Sequence, residues 1–113
     1  MGVFMRGDVV IVPFPFSDLS AAKRRPALVL TDSELDAYGD FILAQITSQE
    51  KEDAKAISIS NADFENGALR HLSNVRPNKL YTANENAVLY KAGNLRKEKV
   101  SEILSQVVNQ FAD

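Results

Sequence analysis

The sequence predicts a mainly β domain, a small and strongly bent antiparallel sheet or barrel finished by a C-terminal helix. Three observations predict it. Five or six short runs of β-branched or alternating residues fall within about the first ninety positions. Gly, Pro, Asn and Asp punctuate them, as turns between short strands require. After residue 90 the apolar period lengthens from that of a strand to that of a helix. The 113 residues have the size of one domain, taken as 1–113, and a chain of that length buries roughly two thirds of its unfolded surface.

The first strand is Asp8-Val9-Val10-Ile11-Val12, closed by Pro13-Phe14-Pro15-Phe16, which cannot continue a central ladder. A small polar loop from Ser17 to Lys23 follows, and Ala27-Leu28-Val29-Leu30 suits a strand buried on both faces. Beyond a turn at Asp36 to Asp40, Phe41 to Thr47 reads as the third strand. The run Ala56-Ile57-Ser58-Ile59-Ser60 alternates as a half-exposed strand does, and Asn61 to Arg70 reads as a loop or short helical turn. Val75, Leu80 and Tyr81 mark an extended segment interrupted by Pro77, and Ala87-Val88-Leu89-Tyr90 gives one more strand. Val100, Ile103, Leu104, Val107, Val108 and Phe111 then form one stripe of a helix, with Gly93-Asn94 as its start. That stripe should pack on the barrel or on a second subunit.

Composition narrows the chemistry. With no cysteine there are no disulfides, thiolate metal sites or thiol nucleophiles. No apolar run approaches the ~20 residues of a membrane span, and residues 1–8 lack the layout of a signal peptide, so a soluble, cytoplasmic protein without membrane attachment is expected. The net charge of −2 is mildly adverse to a dedicated nucleic-acid binder, but the charge is segregated: residues 1–31 carry +2, residues 32–65 carry −7 and residues 66–113 carry +3. If the two basic ends meet in the fold, they form a local positive patch on an acidic protein.

Three segments together resemble the MazF/PemK toxin family. Gly7 to Asp18 followed by Arg25-Pro26-Ala27-Leu28-Val29-Leu30 is similar to the family's opening strand, loop and second strand. Ile46-Thr47-Ser48-Gln49 is similar to the end of its third strand, and Val75-Arg76-Pro77-Asn78-Lys79-Leu80 to its late strand. The resemblance implies an SH3-like, strongly curved antiparallel barrel paired into a homodimer. It implies an endoribonuclease that cleaves single-stranded messenger RNA at short motifs without metal or cofactor. The partner it implies is a cognate antitoxin whose acidic tail occupies the RNA groove, with operator DNA bound only through that antitoxin. The alternative is a catalytically inactive relative that binds the antitoxin and helps regulate its own operon.

Metal-free cleavage of RNA by its own 2′-hydroxyl needs a base, an acid and donors for the phosphate oxygens. Arg25 matches the family's catalytic arginine, and a planar guanidinium pairs with two phosphate oxygens at once. The competing reading makes Lys23-Arg24-Arg25 a solvated basic turn. Thr47 matches the family's active-site hydroxyl, although strand-end threonines are commonly just good β-formers. Substrate contacts are expected from Phe16, Asp18, Ser48, Gln49, Arg76, Asn78 and Lys79. In the PemK-like branch an aspartate resembling an acid–base partner stands where this chain has Asn78, which cannot accept a proton at neutral pH. His71, the only histidine, is the general base that generic chemistry would choose, but it matches no catalytic position of the family and is expected on a loop or the surface. Phe14, Phe16 and Tyr81 are candidates for base stacking or for the core.

Overall fold

A computed structural model describes residues 2–13, 24–48 and 55–112. Its seven strands are β1 (Asp8–Pro13), β2 (Arg24–Val29), β3 (Asp40–Thr47), β4 (Ile57–Ile59), β5 (Phe64–Gly67), β6 (Ser73–Asn84) and β7 (Tyr90–Leu95), followed by helix α1 (Lys97–Asn109). They form one sheet in the order β4-β6-β3-β2-β1-β7-β5, with every neighbouring pair antiparallel. The sheet curls into a half-barrel, as the sequence predicts, though with one or two more strands.

Alternation along the central strands feeds two cores. Val9, Leu28, Ala44, Ile46 and Val75 pack on one side with Val100, Ile103 and Val107 of α1. Val10, Val12, Ala27, Val29, Phe41 and Leu43 pack on the other with Phe4. This explains why β1 and β2 read as nearly continuous apolar runs. Ile103 is fully buried, so Ile103→Ala should cost about 2–5 kcal/mol through lost transfer energy and the cavity left behind. The helical stripe divides: Val100, Ile103 and Val107 are buried, whereas Val108 and Phe111 are exposed.

Three local expectations are corrected and a fourth is extended. The short helical turn expected within Asn61 to Arg70 is a 3-10 turn at Asn61–Asp63, around which Ser60 and Asp63 cap each other reciprocally, and strand β5 follows it. Pro77 does not interrupt its strand. Between Ala44 and Gln45 of β3 the partner on β6 jumps from Leu80 to Arg76, so Pro77, Asn78 and Lys79 bulge out and the missing N–H of proline leaves no gap in the ladder. Ala87 is the end of a 3-10 turn in which the Asn84 side chain accepts from the Asn86 N–H, which delays the last strand to Tyr90. Gly93-Asn94 lies inside that strand, and α1 starts after Arg96. Gly93 is required by close approach, since a Cβ there would collide with the Asn66 carbonyl oxygen of β5.

Candidate functional site

The site forms where β2 begins and β3 ends. Ladder partners Pro13↔Arg24 and Val12↔Arg25 fix the start of β2 against β1. Pro26 sits in a central strand without cost to the β2–β3 ladder, because that pairing begins only at Ala27↔Gln45. That register, carried two residues further, brings Arg25 level with Thr47, the last residue of β3. On the far side of β3, Thr47 faces Asn74 and Gln45 faces Arg76. Alternation from Ala27, Val29 and Leu43 places Arg25, Gln45, Thr47 and Arg76 on one face of the sheet end. Thr47 is buried, and so is the Nε of the half-buried Arg25.

Arg25 also borders a cavity of about 490 Å³. Ile11, Pro26, Ile46 and Leu69 supply its apolar walls, and Arg24, Arg25, Arg70, His71 and Lys91 its charged or titratable rim, with Ser48, Ser73 and Tyr90 adding hydroxyls. Arg24, Ile46 and Ser48 reach it from the sheet face opposite Thr47. Thr47 itself is not among the residues that line the cavity. Among the described residues no carboxylate lines the cavity, although Lys91 Nζ lies 3.2 Å from the buried Asp8 carboxylate and is partly neutralised there. The predicted meeting of the basic ends therefore occurs: Arg24 and Arg25 come from one, Arg70 and Lys91 from the other. The loop carrying Arg70 and His71 is pinned at both sides, by Leu69 N–H donating to Asn61 Oδ1 at 3.2 Å and Ser73 Oγ donating to the His71 carbonyl at 2.9 Å.

Phe16, Asp18 and Gln49, together with Phe14, lie outside the described residues. Ser48 is exposed and lines the cavity. Asn78 and Lys79 are exposed on the β6 bulge and are not part of the cavity lining, while Arg76 is half-buried beside Gln45. The bulge is held to the helix by Gln110 Nε2, which donates to the Pro77 carbonyl at 2.7 Å. Tyr81 faces Leu43 and packs on the second core, where burial pushes its hydroxyl up to about 12. His71 is exposed, as expected of a loop histidine, but it shares the cavity with Arg25. Sequence reasoning did not single out Arg24, Arg70 or Lys91 as site residues; the segregation of charge was the signal pointing to them. Among the described residues no three of His, Asp and Glu gather as metal ligands would, and no helix is long and apolar enough to cross a membrane.

The family described as PemK-like, MazF-like toxin of type II toxin–antitoxin system matches residues 5–111. No curated protein matches the chain. Among solved structures, MazF from Deinococcus radiodurans superposes with a TM-score of 0.77 at 16% identity, covering 100% of each chain. A MazE–MazF structure from the same organism gives 0.74 at 14%, covering 99% of this chain and 98% of the other. An endoribonuclease in complex with its cognate antitoxin, from a mycobacterial species, gives 0.72 at 11%, covering 95% and 93%. At such identities these likenesses establish the fold.

Proposed function

This chain belongs to the PemK-like, MazF-like toxin family of type II toxin–antitoxin systems, and from that premise we propose that it is a toxin acting as a sequence-specific, metal-independent endoribonuclease on single-stranded messenger RNA. The observation that carries the reading is a cavity bordered by Arg25 at the start of β2 and rimmed by Arg24, Arg70 and Lys91, next to the end of β3 that carries Thr47. In this mechanism the RNA 2′-hydroxyl loses its proton and its oxygen attacks the adjacent phosphorus. The bond from phosphorus to the 5′-oxygen breaks, and that oxygen takes up a proton. Arg25 holds the phosphate oxygens through its planar fork, and Thr47 donates one further hydrogen bond as negative charge builds on them. Ser48, Arg76, Asn78 and Lys79, with Phe16, Asp18 and Gln49, contact the flanking nucleotides.

A fold match to an endoribonuclease with its cognate antitoxin supports an antitoxin as the protein partner, and the basic rim suits an acidic peptide as well as RNA. The working assembly is a cytoplasmic homodimer that meets operator DNA only through the antitoxin. The second reading, a non-catalytic module that binds antitoxin and regulates its operon, is favoured by one observation: Asn78, which cannot act as a base, stands where the PemK-like branch has an aspartate.

Induction in a bacterium separates the two. The nuclease arrests growth and Arg25→Ala relieves the arrest. Purified protein, with chelator present, leaves 2′,3′-cyclic phosphate and 5′-hydroxyl ends, and a strand with 2′-deoxy at the cleaved position binds but stays whole. Cleavage of that deoxy position, or cleavage abolished by chelation and restored by magnesium, rules the mechanism out. A folded protein that binds an antitoxin and cuts no RNA establishes the second reading.

A further inference from the structure

Resting on the nuclease reading, we infer that His71 is the group that takes the 2′-hydroxyl proton in this chain. The mechanism above has a phosphate-holding arginine and a hydroxyl donor but no base, and Asn78 cannot be one. His71 lines the same cavity as Arg25. It borders that cavity from the loop before β6 while Arg25 borders it from the start of β2, so a nucleotide seated there would meet both a guanidinium and an imidazole.

The groups around the imidazole narrow the choice further. Arg24 and Arg25 come from β2, Arg70 from the same loop, and Tyr90 and Lys91 from β7, with Asp8 held on the Lys91 ammonium at 3.2 Å. Among the described residues that line the cavity, imidazole is the side-chain type suited as a class to proton exchange in the neutral range, whereas arginine, lysine and tyrosine as classes titrate far above it. Asp8 is 5% exposed, and its carboxylate oxygens are engaged by Lys91 and by the Met5 N–H. The loop itself is positioned without help from the imidazole, because Ser73 Oγ bonds the His71 carbonyl. The side chain therefore remains exposed at the rim with no structural duty in those contacts.

The transfer balances simply. A ring nitrogen accepts the 2′-hydroxyl proton as the oxygen–phosphorus bond forms. The bond to the 5′-oxygen breaks, and the departing oxygen is protonated by solvent or by the imidazolium in a later step. Products are the 2′,3′-cyclic phosphate and the 5′-hydroxyl end, with no net proton gained by the protein over a turnover.

The test uses the full chain, a mixed-sequence pool of single-stranded RNA as substrate, and single-stranded DNA of the same sequences as the uncleavable ligand. His71→Gln and His71→Asn should each lower kcat about 100-fold, the scale of a positioned general base. KM and DNA binding should stay within about threefold of wild type, given that scale. In the wild type kcat/KM should carry the ascending pH limb that a general base gives, and both variants should lack it. A folded variant with wild-type kcat, or with the limb intact, overturns the assignment while leaving the nuclease reading standing. A wild-type chain that leaves the RNA pool whole overturns the nuclease reading first, and this assignment with it.

Discussion

Thr47, the last residue of β3, stands level with Arg25 of β2 when the Ala27↔Gln45 register is continued, and it faces Asn74 of β6 on its other side. Two donors thus share one sheet end from different strands, and neither can move without moving a ladder. Arg25→Ala and Thr47→Ala should each reduce cleavage by about two orders of magnitude, as expected when one preorganised charge-stabilising donor is lost. Thr47→Ser should retain much of the rate, because the hydroxyl is kept. Single-turnover kinetics on folded protein check this. Wild-type activity in folded Arg25→Ala would remove it from the site.

The bulge in β6 gives a prediction about positioning. Gln110 Nε2 donates to the Pro77 carbonyl at 2.7 Å, so the end of α1 holds the loop that presents Asn78 and Lys79. Gln110→Ala should cost about 1 kcal/mol, the net worth of one such hydrogen bond, read from denaturant midpoints. On the proposed nuclease reading, its effect on RNA affinity should exceed its effect on turnover, because that reading assigns the loop to flanking nucleotides rather than to the reacting phosphate. An equal loss in turnover would place the bulge at the scissile bond.

Burial of Tyr81 has a sign that can be measured. Its ordinary value is 10.0 and burial raises it to about 12 in the folded chain. The unfolded chain therefore releases this proton at lower pH than the folded one, and raising the pH favours unfolding across that interval. The stabilisation is complete below about pH 10 and is lost progressively as pH rises toward about 12. Urea midpoints at pH 8, 10 and 11 should fall in the wild type. In Tyr81→Phe that component of the fall should vanish. An unchanged slope would mean that the hydroxyl titrates alike in both states.

Much of the fold was legible in the sequence, and the reasons for the rest are local. β1, β2 and β3 announce themselves because β-branched residues alternate into two cores, and Val100, Ile103 and Val107 announce the helix by period. Two of the differences arise where a breaker residue serves long-range geometry. Pro77 sits in a bulge rather than a break, and Gly93 is small because Asn66 crosses it, not because a helix begins there. At the site, resemblance alone marks Arg25 and Thr47, because the β2–β3 register that brings the start of β2 beside the end of β3 is contained in no local pattern. His71 lies exposed on a loop as the sequence predicts, but sequence distance hides that this loop borders the same cavity as the start of β2. Only the opposed charge of the chain's segments hinted that Arg24, Arg70 and Lys91 converge.

That convergence makes binding electrostatic in a countable way. RNA and an acidic antitoxin tail present the same chemistry to the rim formed by Arg24, Arg25, Arg70 and Lys91, so they should compete, each displacing the other from wild-type protein. Each phosphate neutralised on a single strand contributes about −0.7 to the slope of log affinity against log salt. Arg70→Ala should therefore flatten the slope for single-stranded DNA by about 0.7. Lys91→Ala should flatten it by less, because the Asp8 carboxylate 3.2 Å away already offsets that charge. The same two substitutions should weaken an acidic peptide in the same order. Filter binding or fluorescence anisotropy from 50 to 200 mM salt, an interval over which such slopes are readily resolved, measures both series. Equal slopes for Arg70→Ala and wild type, or simultaneous uncompeted binding of peptide and nucleic acid, would place one of the two ligands away from this cavity.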